Sequence, residues 1–187
     1  IFFDNVESKA KTIRSFLNFN ETKLTKVISV GTPEKIHYSF DLDNGSLLQV
    51  WKGKFADVTQ MWHERGEPQL LYPSGLLTGL NNEIPFFELS DDAQTKPDVY
   101  TEFVNKGYDL DEDGIPTYSY NWENTNFTQK FSPSNGGLFC EITSNQISKF
   151  GYIMAIGNEI TKLSDNLYKV DNFYIEINEK AKVYINE

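Results

Sequence analysis

Short segments in which apolar and aromatic residues occupy every second position recur along this chain, with turn-forming residues between them. In the clearest of these segments the alternating residues are Ile36, Tyr38, Phe40 and Leu42. Alternation with a period of two is typical of β-strands that place one face against a core. Asn44 and Gly45 follow, and both residue types adopt the positive φ of a tight turn. The sequence therefore predicts a hairpin that closes at these two residues.

The same alternation predicts strands throughout the chain, whereas no segment shows a convincing helical period. Besides 36–42, the predicted strands are 13–19, 24–30, 47–51, 103–110, 117–122, 127–131, 138–143, 150–156, 167–170, 172–177 and 182–185. Short strands without helices between them predict an all-β fold, an antiparallel β-sandwich of the large supersandwich or mutarotase-like kind. A length of 187 residues fits one such domain, so we expect residues 1–187 to form a single β-sandwich.

One long segment lacks the alternation. Residues 68–97 contain four of the seven prolines and two glycines. Long stretches with little periodicity usually cross the surface and often line a site. We therefore expect residues 68–97 to form a surface loop that contributes to a binding site.

Composition excludes several classes of function. The formal net charge is -10, and the 17 Lys and Arg residues are scattered, which argues against a nucleic-acid partner and against an anionic membrane. No apolar run is long enough to span a bilayer. The single Cys140 excludes an internal disulfide, a Cys-rich zinc site and a covalent CxxCH haem attachment. No cofactor is expected. Because the chain begins at Ile1 without an initiator Met, we expect a segment excised from a longer secreted protein.

The first candidate site is the group Trp62, His63, Arg65 and Glu67. An indole, an imidazole and an Arg–Glu pair are costly to bury together, since each charge would need its own partner. We expect these residues to be partly accessible and to bind a ligand, together with residues of the 68–97 loop. A general acid or base role for His63, with Glu67 or Asp57 as its carboxylate partner, is the catalytic alternative. An ordered, exposed loop without function is the structural alternative.

Aromatic residues form the second candidate site. Such rings could stack on the apolar C–H faces of a sugar, while carboxylates and Arg65 select its hydroxyl pattern. The candidate rings are Trp51, Trp62 and Trp122, with Tyr118 and Tyr120. The alternative is that these rings belong to the core, and Trp51 ends a predicted strand. Residue type alone does not decide between the two.

The third candidate is a metal site. Asp109, Asp111 and Asp113, with Gly114, match the first half of an EF-hand calcium loop. The bidentate Glu that this loop needs at its last position is replaced by Tyr120. We therefore predict a solvated hairpin turn with no metal, with these three carboxylates as the alternative calcium ligands.

Three segments carry a resemblance to a known family. They are ISVGTPEKIHYSFDLDNGSLLQVWKGKF (28–55), MWHERGEPQ (61–69) and GYDLDEDGIPTYSY (107–120). Together they resemble a β-rich segment of large secreted bacterial proteins, where it accompanies c-type cytochrome, sorbosone-dehydrogenase-like or 3-keto-disaccharide hydrolase-type domains. The matching positions are Trp51, Gly53, Phe55, Trp62, Arg65, Gly66, Gly107, Tyr108, Leu110, Asp111, Gly114, Pro116 and Thr117. The resemblance implies an accessory role and transfers no catalytic residue.

The favoured function is therefore a non-catalytic accessory module of a periplasmic or extracellular carbohydrate- or redox-processing protein. It would bind carbohydrate, or dock an adjacent domain of the same polypeptide, through residues 62–67. The alternative is a sugar-active enzyme on a mutarotase-like sandwich that uses His63 and a carboxylate. A binding module predicts an open aromatic platform or a flat apolar patch, whereas an enzyme predicts a cleft that contains His63.

Overall fold

The computed structural model describes residues 2–62, 68–88, 103–122, 125–145 and 150–177, with residues 183 and 185, but not the side chains of Trp62 and Glu88. Nearly all of its regular secondary structure is antiparallel β-strand, so the predicted all-β, sandwich-like fold is confirmed. The strands are β1 (Phe3–Asp4), β2 (Lys11–Phe19), β3 (Thr22–Gly31), β4 (Ile36–Asp41), β5 (Ser46–Asp57), β6 (Tyr72–Gly79), β7 (Phe86–Glu88), β8 (Phe103–Leu110), β9 (Pro116–Trp122), β10 (Thr125–Ser134), β11 (Gly137–Ser144), β12 (Phe150–Tyr152), β13 (Ile160–Lys162), β14 (Leu167–Val170) and β15 (Phe173–Glu176). A one-turn helix, α1 (Thr59–Trp62), follows β5.

The chain divides into two compact units. The first consists of Ile1–Ile84 and Thr101–Ser148, and the second of Pro85–Tyr100 and Lys149–Glu187. In the second unit β7 pairs with β12, while β13, β14 and β15 form a three-stranded antiparallel sheet. The first unit contains the two larger sheets and all the candidate functional residues.

The larger sheet of the first unit has the strand order β1-β5-β4-β3-β2, with β6 also paired to β5. It curls, because segment 69–71, which leads into β6, also reaches the free edge of β2. The Phe16 amide donates to the Gln69 carbonyl at 2.9 Å, and the Leu71 amide donates to the Phe16 carbonyl at 3.2 Å. The sheet thereby encloses an inward face, whose apolar cluster is Ile13, Trp51, Phe55, Ala56, Val58, Met61 and Leu71.

The outer face of the same sheet packs against a second sheet, which has the order β11-β10-β9-β8. Ile28 and Phe40 of the first sheet share a buried cluster with Tyr118 and Phe131 of the second. The rings of Phe40 and Tyr118 stack with their centroids 4.0 Å apart. Offset stacking of this kind contributes about 1 kcal/mol beyond the area that it buries, so these rings fix how the two sheets meet.

The predicted hairpin is present, but its first strand is more deeply buried than the alternation indicated. Gly45 has a φ of 69°, and its amide donates to the Asp41 carbonyl at 2.9 Å, which confirms the turn. All six residues of β4 are buried, including the polar ones between the alternating apolar residues. A period of two normally leaves one face wet, whereas here the second sheet covers one face and the curl of the first sheet covers the other.

The expectation of a strandless loop over residues 68–97 was wrong for the part that the structure describes. β6 pairs with β5 along eight of its positions, and β7 pairs with β12. Pro73 and the two glycines of β6 obscured its alternation. Pro73 is tolerated because β6 lies at the edge of the sheet. A residue there can lack the N–H donor that pairing with a further strand would need. The predicted strand at 182–185 lies largely outside the described residues.

We expect replacement of Gly45 by Ala to destabilise the first unit by more than the usual cost of a left-handed residue. An added Cβ would lie 2.4 Å from the Phe103 ring, on a backbone with a φ of 69°. Gly136, in the turn between β10 and β11, has a φ of 81° with nothing within 4 Å of an added Cβ, so it is the matched control. Gly136→Ala should cost about 1 kcal/mol from backbone strain alone.

Urea denaturation measures both changes. Gly45→Ala should lower the free energy of unfolding clearly further than Gly136→Ala, because its clash adds to the strain. Equal losses would show that the Phe103 ring does not pack over this turn.

Candidate functional site

Four of the six predicted binding side chains cannot be placed. His63, Arg65 and Glu67 lie outside the described residues, and so does the side chain of Trp62, whose backbone ends α1. Their accessibility and the catalytic alternative with His63 and Glu67 therefore stay predictions. The structure does place the residues that flank segment 63–67. The Gln69 amide donates to the Gln60 carbonyl at 3.2 Å, which brings its two flanks together.

Trp51 and Tyr118 are core residues, so for these two the structural alternative is the correct one. Trp51 is 1% exposed, and its indole N–H donates to the Phe55 carbonyl at 2.7 Å. Tyr118 is fully buried, with its hydroxyl 3.5 Å from that of Tyr38. Burial raises the pKa of Tyr118 well above its usual value. Neither ring has a face open to a sugar, because each stacks on a neighbour inside the core.

The first half of the EF-hand pattern forms a turn that is held together by its own side chain. One carboxylate oxygen of Asp111 accepts the amides of Asp113 and Ile115, at 3.0 and 2.8 Å, and the other accepts the Lys130 ammonium at 2.8 Å. Partial desolvation raises the pKa of Asp111, but the Lys130 and backbone hydrogen bonds outweigh it and lower the pKa overall. Among the described residues, no group of three or more His, Cys, Asp or Glu side chains is arranged to hold a metal ion.

We expect millimolar calcium to leave the melting temperature nearly unchanged, because a ligand stabilises a protein only as far as it binds the folded state. Asp111→Ala should lower the free energy of unfolding by about 1–2 kcal/mol, since it removes a charged acceptor from two backbone amides. Asp109→Ala, at an exposed position of β8, is the matched control and should be nearly neutral. A rise of several degrees with calcium that Asp111→Ala abolishes would contradict the turn interpretation.

His37 is buried and serves the fold. Its Nδ1 accepts the Thr32 amide at 3.1 Å, and its Nε2 donates to the Gly53 carbonyl at 3.0 Å, so the ring is neutral with its proton on Nε2. The ring also contacts Trp51 and Phe55. Desolvation lowers the pKa of His37 below 6.5, although the Gly53 hydrogen bond opposes this in part. Protonation of Nδ1 would place its N–H against the Thr32 N–H, so that two donors would face each other.

This lowered pKa predicts how stability depends on pH. Below pH 6.5 the unfolded chain binds a proton at His37 that the folded chain resists. The free energy of unfolding therefore has its full contribution from the neutral ring above pH 6.5, and loses it as the pH falls towards the folded-state pKa. Burial raises the pKa of Asp41 above 3.8, which works in the opposite direction as the pH falls. Unfolding free energies at pH 8 and 5.5 should therefore differ less in His37→Gln than in the unchanged protein. An unchanged difference in His37→Gln would contradict this role.

The described residues contain one exposed face with the character of a binding surface. It crosses β1, β5 and β6, whose register places Phe3 opposite Asp57 and Asp57 opposite Tyr72. Lys54 pairs with Ser74, and Lys52 with Leu76, on the same side of the sheet. We call this surface the β1-β5-β6 face, and it consists of Phe3, Lys52, Lys54, Asp57, Tyr72, Ser74 and Leu76.

Large apolar side chains are left open to solvent on this face. Phe3 is 46% exposed, Tyr72 is 39% exposed and Leu76 is 81% exposed. Phe3 and Tyr72 lie two strands apart, about 10 Å between their backbones, so their rings flank β5. Each unburied ring forgoes about 25 cal/mol for every Å² of apolar area that stays in water. Contiguous exposed apolar surface in a soluble protein often marks a place where something binds.

Polar groups lie between and beside these apolar side chains. The Lys54 ammonium is 5.1 Å from the centre of the Phe3 ring, within the range of a cation–π contact. The Tyr72 hydroxyl donates to the Gln60 side-chain carbonyl at 3.3 Å. One Asp57 oxygen accepts the Thr59 hydroxyl and amide, and these hydrogen bonds lower the Asp57 pKa, so this carboxylate is ionised at neutral pH. The face therefore combines flat rings with donors, acceptors and fixed charges.

The β1-β5-β6 face adjoins the flanks of the predicted binding segment. Gln60 contacts Tyr72 through its side chain and Gln69 through its backbone. The residues just before and just after 63–67 therefore lie beside this face. Of the residues on this face, the sequence predicts a functional role only for Asp57. The alternation of Tyr72, Ser74 and Leu76 was the available signal, but Pro73 and Gly75 between them indicated a loop.

Comparisons with protein-family models, with curated proteins and with solved structures return no match to this chain. The one helix in the described part of the chain has four residues, which is far shorter than a membrane crossing needs. The residues of the site are therefore what indicates a function.

Proposed function

We propose that this chain is a non-catalytic accessory module of a periplasmic or extracellular carbohydrate- or redox-processing protein. It binds carbohydrate through the β1-β5-β6 face and the adjoining segment 62–67. The observation that supports this proposal best is the pair of exposed rings, Phe3 and Tyr72, on either side of an ionised Asp57. A sugar offers apolar C–H faces to such rings and hydroxyl groups to the polar side chains between them.

Docking of an adjacent domain is a second candidate, which Leu76 favours. This side chain is 81% exposed on an edge strand, and Leu77 beside it is also exposed. Proteins usually shield an edge strand with charges or cover it with another element. The segment YPSGLLTG of β6 contains no charged residue. A neighbouring domain of the same polypeptide would bury both leucines.

Titration calorimetry against a panel of oligosaccharides tests the carbohydrate proposal. Tyr72→Ala should weaken binding about tenfold, because a stacked ring contributes about 1 kcal/mol or more. The free energy of unfolding should change by about 1 kcal/mol or less, since Tyr72 is partly exposed. Tyr72→Phe keeps the ring and should retain most of the affinity.

Tyr174→Ala is the matched control, since Tyr174 is 63% exposed on β15 and belongs to the second unit. It should leave oligosaccharide binding unchanged. Binding that is equal in Tyr72→Ala and in the unchanged protein would contradict this site. Failure of every oligosaccharide to bind would leave domain docking as the supported candidate.

A further inference from the structure

Two lysines lie beside exposed apolar side chains on the β1-β5-β6 face. Lys52 and Lys54 are exposed, and no carboxylate of the described residues lies within ion-pair distance of either one. Lys11, Lys26, Lys130 and Lys162 each have an aspartate partner. Other cations of the described residues also lack an ion pair, namely Lys9, Arg14, Lys23, Lys35, Lys106 and Lys169. What sets Lys52 and Lys54 apart is their place among the exposed apolar side chains of one face. A ligand that brings its own negative charge would neutralise them.

Each of these lysines stands beside an apolar side chain. The Lys54 ammonium lies over the Phe3 ring at 5.1 Å, and Lys52 is the cross-strand partner of Leu76. The same combination, an apolar surface next to a cation, therefore occurs twice on one face. Two residues apart on a strand, Lys52 and Lys54 have backbones about 7 Å from each other. Two cations on one side of a strand, each next to an apolar side chain, can contact a ligand in which apolar faces and negative charges both repeat.

We propose that the β1-β5-β6 face binds an acidic polysaccharide built from uronic acid residues. A hexuronate has an apolar C–H face for Phe3 or Tyr72 and a carboxylate for Lys54 or Lys52. Asp57 lies at the end of the face away from Lys52, where it accepts hydrogen bonds from sugar hydroxyls. This inference depends on the proposed carbohydrate-binding function and adds the charge class of the ligand.

A matched pair of polymers tests the inference. Polygalacturonate and its methyl ester have the same sugar backbone, but only the first carries carboxylates. Affinity electrophoresis measures how far each polymer slows the migration of the protein. Polygalacturonate, alginate and hyaluronate should each slow the unchanged protein more strongly than the methyl ester does. Added salt should reduce the difference, because exposed charge pairs are screened.

Variants locate the effect. Lys52→Gln combined with Lys54→Gln should weaken binding to the acidic polymers roughly fivefold, as expected of two exposed ion pairs, and should leave the methyl ester unaffected. Lys106→Gln combined with Lys169→Gln removes the same charge from two other exposed strand positions and is the control. The control should bind like the unchanged protein.

The possible failures have different meanings. Equal binding to polygalacturonate and its ester, unaffected by the Lys52 and Lys54 changes, would overturn the acidic class while the proposed carbohydrate function stands. Binding to none of the polymers would overturn both. A single-stranded oligonucleotide serves as a further probe. If it binds as tightly as the acidic polymers and responds to the same lysine changes, the face is a nucleic-acid surface and the inference is wrong.

Discussion

The burial of β4 on both faces is the constraint on which the first unit depends. All six of its side chains are out of solvent, so the sheet needs a cover on each side. The second sheet supplies one cover, where Phe40 stacks on Tyr118. The curl of the first sheet supplies the other, over the inward face where His37 contacts Trp51 and Phe55 of the neighbouring strand β5. A strand enclosed in this way forms the centre of the unit, and the strands farther from it take up the edges.

Enclosing β4 also requires that its polar groups find partners inside. His37 does so as a neutral ring that bonds to Thr32 and Gly53, and Ser39 does so by contacting the hydroxyl of Ser29 at 2.9 Å. Buried polar groups that are hydrogen-bonded cost little, whereas unpaired ones cost about 1–3 kcal/mol each. The chain thus uses one of its two histidines to tie a loop and a strand together, and chemistry need not be invoked to explain it.

The sequence was sufficient to predict the all-β class, most strands and the turns at Gly45 and Asp111, because periodicity and turn chemistry are local properties. It was not sufficient to place the aromatic residues. By residue type alone, Trp51 and Tyr118 could equally be ligand-binding rings. Only the folded structure shows that each stacks on a neighbour in the core. The β1-β5-β6 face was missed for the converse reason. It joins Phe3, Asp57 and Tyr72 from distant parts of the chain, so no local pattern contains it.

The positions of the charges on this face argue that they serve a ligand and not the solubility of the sheet edge. Lysines that protect an edge strand from pairing with another chain belong on the edge strand itself. Here the edge strand is β6, whose eight residues include no charge, while Lys52 and Lys54 lie one strand further in, on β5. From there they cannot interrupt pairing along β6, but they lie beside exposed apolar side chains, Leu76 of β6 and Phe3 of β1. An arrangement that leaves β6 without a charge and places cations among exposed apolar groups is explained better by recognition of an anion than by resistance to aggregation.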